Sequence, residues 1–150
     1  MQCLVDTNVV LRWLQPSAPE HPQAVQALLH LVRRGMSLVL SSQSLVEFWN
    51  VATRPTNANG LGWTVERAEQ ALNDLEQQFT VVYETEQVYA EWKQLVATYR
   101  VSGRQVFDAR LVAFMLAHGI LWLLTFNTAD FTRYSEIQVA HPAVVLQIFP

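Results

Sequence analysis

Hydrophobic and polar positions follow two alternating patterns along the chain. Short, nearly continuous apolar runs are typical of buried strands, and longer segments with apolar residues every three or four positions are typical of amphipathic helices. The predicted strands are CLVD, MSLVLSS, FTVVYE, ILWLLTF and a short one within QVAHPAVVLQI. The predicted helices are TNVVLRWL, AVQALLHLVRR, SLVEFWNVATR, VERAEQALNDLEQQ, EQVYAEWKQLVATYR and VFDARLVAFMLAHG.

Strands that alternate with helices, and that are apolar throughout, indicate an α/β fold with a mostly parallel sheet and helices on both faces. ILWLLTF is the most apolar strand, so we expect it to lie at the centre of the sheet. Folds of this kind bind ligands beyond the carboxyl ends of their strands. Chemistry is therefore expected in the residues that follow the strands.

Length and composition predict one domain over residues 1–150, because the chain has no composition break and no internal repeat. Hydrophobic residues make up 51% and charged residues 15%, which excludes intrinsic disorder. No apolar run is long enough for a membrane span, and no secretory leader is recognisable. The single cysteine, Cys3, is predicted to fill the core, and its isolation favours the reducing cytoplasm.

The charged residues narrow the possible chemistry. A formal net charge of −3 argues against a broad electrostatic nucleic-acid binder. Lys93 is the only lysine, so a mechanism that needs a positioned lysine depends on it. The histidines show no metal-ligand spacing and there is no CxxC motif, which argues against a zinc site and favours structural or solvent-facing histidines.

Four acidic residues stand where acids are unfavourable. Asp6 follows the first strand, Asp130 follows ILWLLTF, and Glu47 and Asp108 lie within apolar helix sequence. Singly, they could be a helix cap, a loop acid, an exposed helix residue and a partner of a helix dipole. Together they suggest one acidic pocket, which a hard cation such as Mg²⁺ or Mn²⁺ would neutralise.

The same segments resemble a known family, the PIN domains. LVDTNVVLRWL resembles the start of a PIN domain, SLVEFWNV its glutamate-bearing helix, VFDARLVAFMLAHGI its aspartate-bearing helix, and LLTFNTADF its last strand and loop. The resemblance spans Leu4 to Phe131 in the order of the family, and the most similar subgroup is the VapC-like toxins of toxin–antitoxin pairs. It implies a three-layer α/β/α sandwich with a sheet of four or five strands.

The resemblance also implies an activity and a site. It implies an Mg²⁺- or Mn²⁺-dependent endoribonuclease in which Asp6, Glu47, Asp108 and Asp130 form the metal and catalytic pocket. Asn127 could take part of the role of Asp130. The residues that would hold the carboxylates or contact RNA are Thr7, Asn8, Thr125, Asn127 and Arg110, although the first three could equally be helix or turn caps.

The subgroup implies a cytoplasmic homodimer that binds RNA and a small antitoxin protein. Three alternatives stay open: a PIN nuclease outside toxin–antitoxin systems, a PIN-like module that binds RNA or protein without cutting, and a phosphotransfer domain that uses Lys93. Trp63, beside a glycine-rich loop, is predicted to be exposed and available for stacking on RNA bases.

Overall fold

The computed structural model describes residues 1–150 and contains a parallel sheet flanked by helices. The strands are β1 (Gln2–Val5), β2 (Ser37–Ser41), β3 (Thr80–Val82), β4 (Trp122–Leu124) and β5 (Gln138–Ala140). The helices are α1 (Thr7–Trp13), α2 (His21–Arg33), α3 (Ser42–Thr53), α4 (Val65–Gln78), α5 (Glu86–Thr98), α6 (Val106–His118) and α7 (Val145–Ile148). Short 3₁₀ helices cover Thr56–Ala58, Gly103–Gln105, Thr128–Phe131 and Pro142–Val144.

All five strands are parallel and lie in the order β3-β2-β1-β4-β5. The predicted α/β class and mostly parallel sheet are confirmed. The prediction that ILWLLTF is the central strand is wrong, because β1 is central and β4 lies beside it. A strand becomes apolar throughout when helices cover both of its faces, and any inner strand meets that condition.

Two hydrophobic cores lie on opposite faces of this sheet. In β1, Cys3 and Val5 face the core formed with α1, α2, α3, α4 and α7, whereas Leu4 faces the core formed with α5 and α6. This gives the predicted three-layer α/β/α arrangement. Cys3 is buried as expected, and burial raises the pKa of its thiol to about 12, so the group stays protonated.

Local sequence signals set several helix ends. Thr64 is the N-cap of α4, and its side-chain oxygen accepts a hydrogen bond from the backbone N–H of Arg67 at 3.2 Å. Gly119 ends α6 in the left-handed conformation, with φ of 65°. No helix of the structure combines the length and the apolar character that a membrane crossing requires.

Trp63 lies in a different environment from the one expected. Its ring is half-buried and packs edge-on against Phe48, with a centroid distance of 6.2 Å, while the Arg67 guanidinium covers it at 4.1 Å. The prediction of an exposed Trp63 free to stack on RNA bases is therefore wrong. A tryptophan beside a turn can close the edge of a core, and its sequence context alone does not separate that role from exposure.

The strand order reverses between β1 and β4. After β1 the chain adds β2 and β3 on one side, and it then returns to place β4 and β5 on the other side. Helices on opposite faces diverge at such a point, which leaves a crevice beyond the carboxyl ends of the two strands. Asp6 and Thr125 immediately follow β1 and β4, so they lie at the edge of this crevice.

Candidate functional site

The crevice contains a cavity of about 330 Å³ that holds all four acids singled out in the sequence. Its lining residues are Asp6, Thr7, Asn8, Leu11, Glu47, Asn50, Val51, Asp108, Asn127, Asp130 and Phe131. None of them is basic. The two ion pairs of the structure, Arg12–Glu20 and Arg110–Glu84, include none of the four acids, so the negative charge of the cavity has no direct counterion from the chain.

Asp6 occupies the N-cap position of α1, but its side chain does not cap the helix. Its Oδ2 instead accepts hydrogen bonds from Thr125 Oγ1 at 2.7 Å and Asn8 Nδ2 at 3.2 Å. Burial raises the pKa of Asp6 to about 6, the Thr125 hydrogen bond opposes that rise, and the nearby charges of Glu47 and Asp108 add to it. The carboxylate is thus held at the cavity wall in an environment that disfavours its charge.

Thr125 and Asn8 connect the end of β4 to the start of α1. Thr125 is fully buried, and its Oγ1 accepts from Asn8 Nδ2 at 3.1 Å and from the backbone N–H of Asn127 at 3.0 Å while it donates to Asp6. Asn8 Oδ1 accepts from the backbone N–H of Phe126 at 3.2 Å. These bonds fix the Asp6 carboxylate from two elements that are distant in sequence.

Glu47 projects from α3 and is held by two donors. Its Oε2 accepts from Thr7 Oγ1 at 3.1 Å, and its Oε1 accepts from Gln43 Nε2 at 2.8 Å. Sequence reasoning missed Gln43, although its position four residues before Glu47 places both on one side of the helix. It also missed Asn50, which lines the cavity three residues after Glu47.

Asp108 and Asp130 complete the acidic lining. Asp108 is in the first turn of α6, and its pKa is raised mainly by burial and then by the charges of Asp130 and Glu47, while Arg133 lowers it. Asp130 is exposed in the 3₁₀ helix Thr128–Phe131, and Asn127 lines the cavity just before that helix.

Arg110 and Lys93 lie outside the cavity lining. Arg110 donates through Nη1 to Gln43 Oε1, and its Nη2 forms an ion pair with Glu84 Oε1 at 3.4 Å. Lys93 is exposed on α5. A phosphotransfer site that depends on a lysine therefore finds no lysine among the residues that line this cavity.

The side chains suit a hard divalent cation. Carboxylate and amide oxygens are the ligands preferred by Mg²⁺ and Mn²⁺, and the cavity offers both without a competing thiol or imidazole. No group of three or more His, Cys, Asp or Glu side chains in the structure is already arranged to hold a metal ion. Mutual repulsion between unneutralised carboxylates disfavours their close approach.

The fold and the cavity describe a parallel α/β protein with an acidic site where the strand order reverses. The family model of the PIN domain matches residues 3–137, so the chain belongs to the PIN domain family. The chain is also similar to a protein named Ribonuclease VapC24 of Mycobacterium tuberculosis. The two are 28% identical over 138 residues, which cover 92% of this chain and 94% of the relative.

Solved structures share the same fold. The chain resembles VapBC-1 from nontypeable Haemophilus influenzae with a TM-score of 0.70 and 18% identity, covering 95% of this chain and 99% of that chain. It resembles a toxin-antitoxin complex from Klebsiella pneumoniae with a TM-score of 0.66 and 21% identity, covering 93% of this chain and 97% of that chain. At these identities the likeness establishes the fold.

Proposed function

We propose that this protein is a metal-dependent endoribonuclease that hydrolyses RNA phosphodiester bonds, and that it is the toxin of a type II toxin–antitoxin pair. The observation that carries the proposal is the cavity at the strand-order reversal, which four carboxylates line without forming an ion pair. The similarity to a protein named as a ribonuclease over nearly the whole chain supports the same activity.

Asp6, Glu47, Asp108 and Asp130 would hold Mg²⁺ or Mn²⁺. When bound, the ion would lower the pKa of a water molecule and offset the negative charge of the phosphodiester. The chain's own contribution is to fix the carboxylates. Thr125 and Asn8 hold Asp6, and Thr7 and Gln43 hold Glu47.

Charge explains why a cation and polar side chains are both needed. The protein carries a formal net charge of −3, and RNA is a polyanion, so the acidic cavity alone repels its substrate. Asn127 is exposed at the cavity rim, where its amide could donate to a phosphate oxygen or share the role of Asp130.

The test compares single-acid variants in a cleavage assay on RNA with Mg²⁺ or Mn²⁺. Asp6→Asn and Asp108→Asn remove one charge each with little change in shape, and we expect each to lower the cleavage rate at least a hundredfold. The control is Asp74→Asn on α4, outside the cavity lining, which should cleave at the parent rate. Parent-like cleavage by either cavity variant would refute the proposed site.

The biological assignment has its own test. The proposal includes a homodimer, a small antitoxin partner and action in the cytoplasm, and likeness to a toxin-antitoxin complex supports the antitoxin. Expression of the parent chain should arrest growth, and Asp6→Asn should not. Rescue by a small protein encoded beside this one would support a toxin. Metal-dependent cleavage without growth arrest would instead favour a PIN nuclease outside toxin–antitoxin systems.

We also propose that residues 1–150 form one PIN-like domain. Both hydrophobic cores share β1 and its neighbours, so neither half of the sheet has a complete core alone.

A further inference from the structure

Three glutamine side chains each donate to an acid four residues later on the same helix. The pairs are Gln43–Glu47 at 2.8 Å, Gln70–Asp74 at 3.1 Å and Gln87–Glu91 at 3.2 Å. Such pairs on exposed helix faces contribute little individually. The Gln43 pair differs from the other two because its acid lines the cavity and because its carbonyl oxygen accepts a hydrogen bond from Arg110.

The contact with Arg110 fixes which way the Gln43 amide points. A glutamine amide has one accepting oxygen and one donating nitrogen, whereas a guanidinium can only donate. With Arg110 on Oε1, the Nε2 group is directed to Glu47 Oε1. Glu84 holds the other arm of the guanidinium through an ion pair at 3.4 Å, which limits the movement of Arg110.

These contacts connect two helices that pack on opposite faces of the sheet. Gln43 and Glu47 belong to α3, which packs on one face of the sheet, and Arg110 belongs to α6, which packs on the other. Glu47 is exposed and has a long side chain, so its position depends on outside donors. Thr7 supplies one donor to Oε2, and Gln43, oriented by Arg110, supplies the other to Oε1.

We propose that Arg110 and Gln43 are positioning residues that hold Glu47 ready to bind the divalent cation, with Arg110 acting through Gln43. The inference rests on the proposed function, because it takes Glu47 as a metal ligand. It assigns Arg110 to the metal site rather than to direct contact with RNA. Outer partners of metal ligands usually change metal affinity by about 10- to 100-fold when removed.

The test measures Mn²⁺ binding by titration calorimetry and by the metal-dependent shift of the melting temperature. Gln43→Met removes the amide and keeps the side-chain length, and we expect it to weaken Mn²⁺ binding about tenfold. The matched control is Gln87→Met, which breaks the same kind of pair on α5 and should bind Mn²⁺ like the parent protein. Equal effects of the two substitutions would overturn the proposal.

Arg110 is tested by a double-mutant cycle. Arg110→Met should weaken Mn²⁺ binding as Gln43→Met does, and the double variant should be no weaker than Gln43→Met alone, because both act along one path. Arg110→Lys, which keeps a donor, should recover part of the loss. Independent, multiplying effects would overturn the proposal, as would an Arg110→Met variant that raises the KM for RNA with unchanged Mn²⁺ affinity.

The two proposals fail in different ways. If Asp6→Asn cleaves RNA like the parent, the proposed function fails, whatever Gln43 does. If Asp6→Asn abolishes cleavage but Gln43→Met binds Mn²⁺ normally, only the positioning role fails. Absence of Mn²⁺ binding to the parent protein would overturn both.

Discussion

Asp6 carries a carboxylate whose ionisation is disfavoured by its surroundings in the folded protein. Its carboxylate lies at the end of the central strand, where burial and two other acids oppose its ionisation. The hydrogen bonds from the Thr125 side chain and the Thr7 backbone offset only part of that cost, since burial is the dominant influence on the pKa of Asp6. A group of this kind is common where charge is needed for function.

The pH dependence of stability follows from the raised pKa. Between the ordinary value of 3.8 and about 6, folded Asp6 keeps a proton that the unfolded chain loses. Its contribution to stability is complete below 3.8 and is lost as the pH rises through about 6. Asp6→Asn should therefore be more stable than the parent near pH 7.5 in chelator, by about 3 kcal/mol, and the difference should shrink towards pH 4.

Thermal unfolding at several pH values, with chelator and then with Mn²⁺, measures this difference. Mn²⁺ should raise the melting temperature of the parent and have little effect on Asp6→Asn, because the variant has lost a ligand. If Asp6→Asn is less stable than the parent at neutral pH in chelator, then burial does not disfavour the charge of Asp6 as proposed here.

Thr125 gives a second prediction, because one hydroxyl serves three partners. Thr125→Val keeps the shape but leaves Asn8 Nδ2 and the Asn127 N–H without this acceptor, and we expect a loss of about 1–3 kcal/mol in the free energy of unfolding. Cleavage should fall about 10- to 100-fold as Asp6 loses its closest donor. The control is Thr53→Val, whose hydroxyl bonds only the Trp49 carbonyl one turn earlier. Denaturant unfolding and cleavage rates check both variants.

For the helices and strands, the hydrophobic pattern predicts bounds correctly where the local sequence also sets the ends of the element. The predicted helix VERAEQALNDLEQQ has the same bounds as α4, because Thr64 caps its start and its apolar face is regular. The last helix, α7, was not predicted beside β5, since its four residues follow a strand-like run of apolar side chains. The order of the strands could not be predicted from the pattern either, because it depends on crossovers between elements that are distant in sequence.

Some residues of the candidate site can be recognised from the sequence, and others depend on contacts between distant elements. Acids at strand ends and on apolar helix sequence are unusual, so Asp6, Glu47, Asp108 and Asp130 could be found and are now known to share a cavity. Gln43 and Asn50 could not be found from the sequence, because polar residues on a half-exposed helix are ordinary. Their significance depends on Arg110 and Glu47 being neighbours in space.

Two threonines at helix starts provide a prediction about elements. Thr64 accepts a hydrogen bond at the start of α4, whereas Thr85 occupies the N-cap of α5 without a side-chain cap bond. Thr64→Ala should cost about 1 kcal/mol in the free energy of unfolding, and Thr85→Ala clearly less. Denaturant titration of the two variants measures the contrast. A larger cost for Thr85→Ala would mean that the caps act differently in solution.

The two hydrophobic cores pack against opposite faces of one sheet. Trp92 packs against the core of α5 and α6, while Trp13, Trp49, Trp63 and Trp122 pack against the other. If residues 1–150 form a single domain, all five should report the same unfolding transition. Fluorine NMR of protein labelled with fluorotryptophan measures each signal in rising denaturant. Loss of the Trp92 signal at a separate denaturant concentration would show two independent units.

The reversal of strand order has a consequence for synthesis. Asp6 leaves the ribosome 119 residues before its partner Thr125, and Asp130 follows Thr125. A nascent chain that has completed β3 has no β4 to form the other side of the crevice. Under the proposed function, the nascent polypeptide therefore cannot cleave RNA until the ribosome has added these later residues.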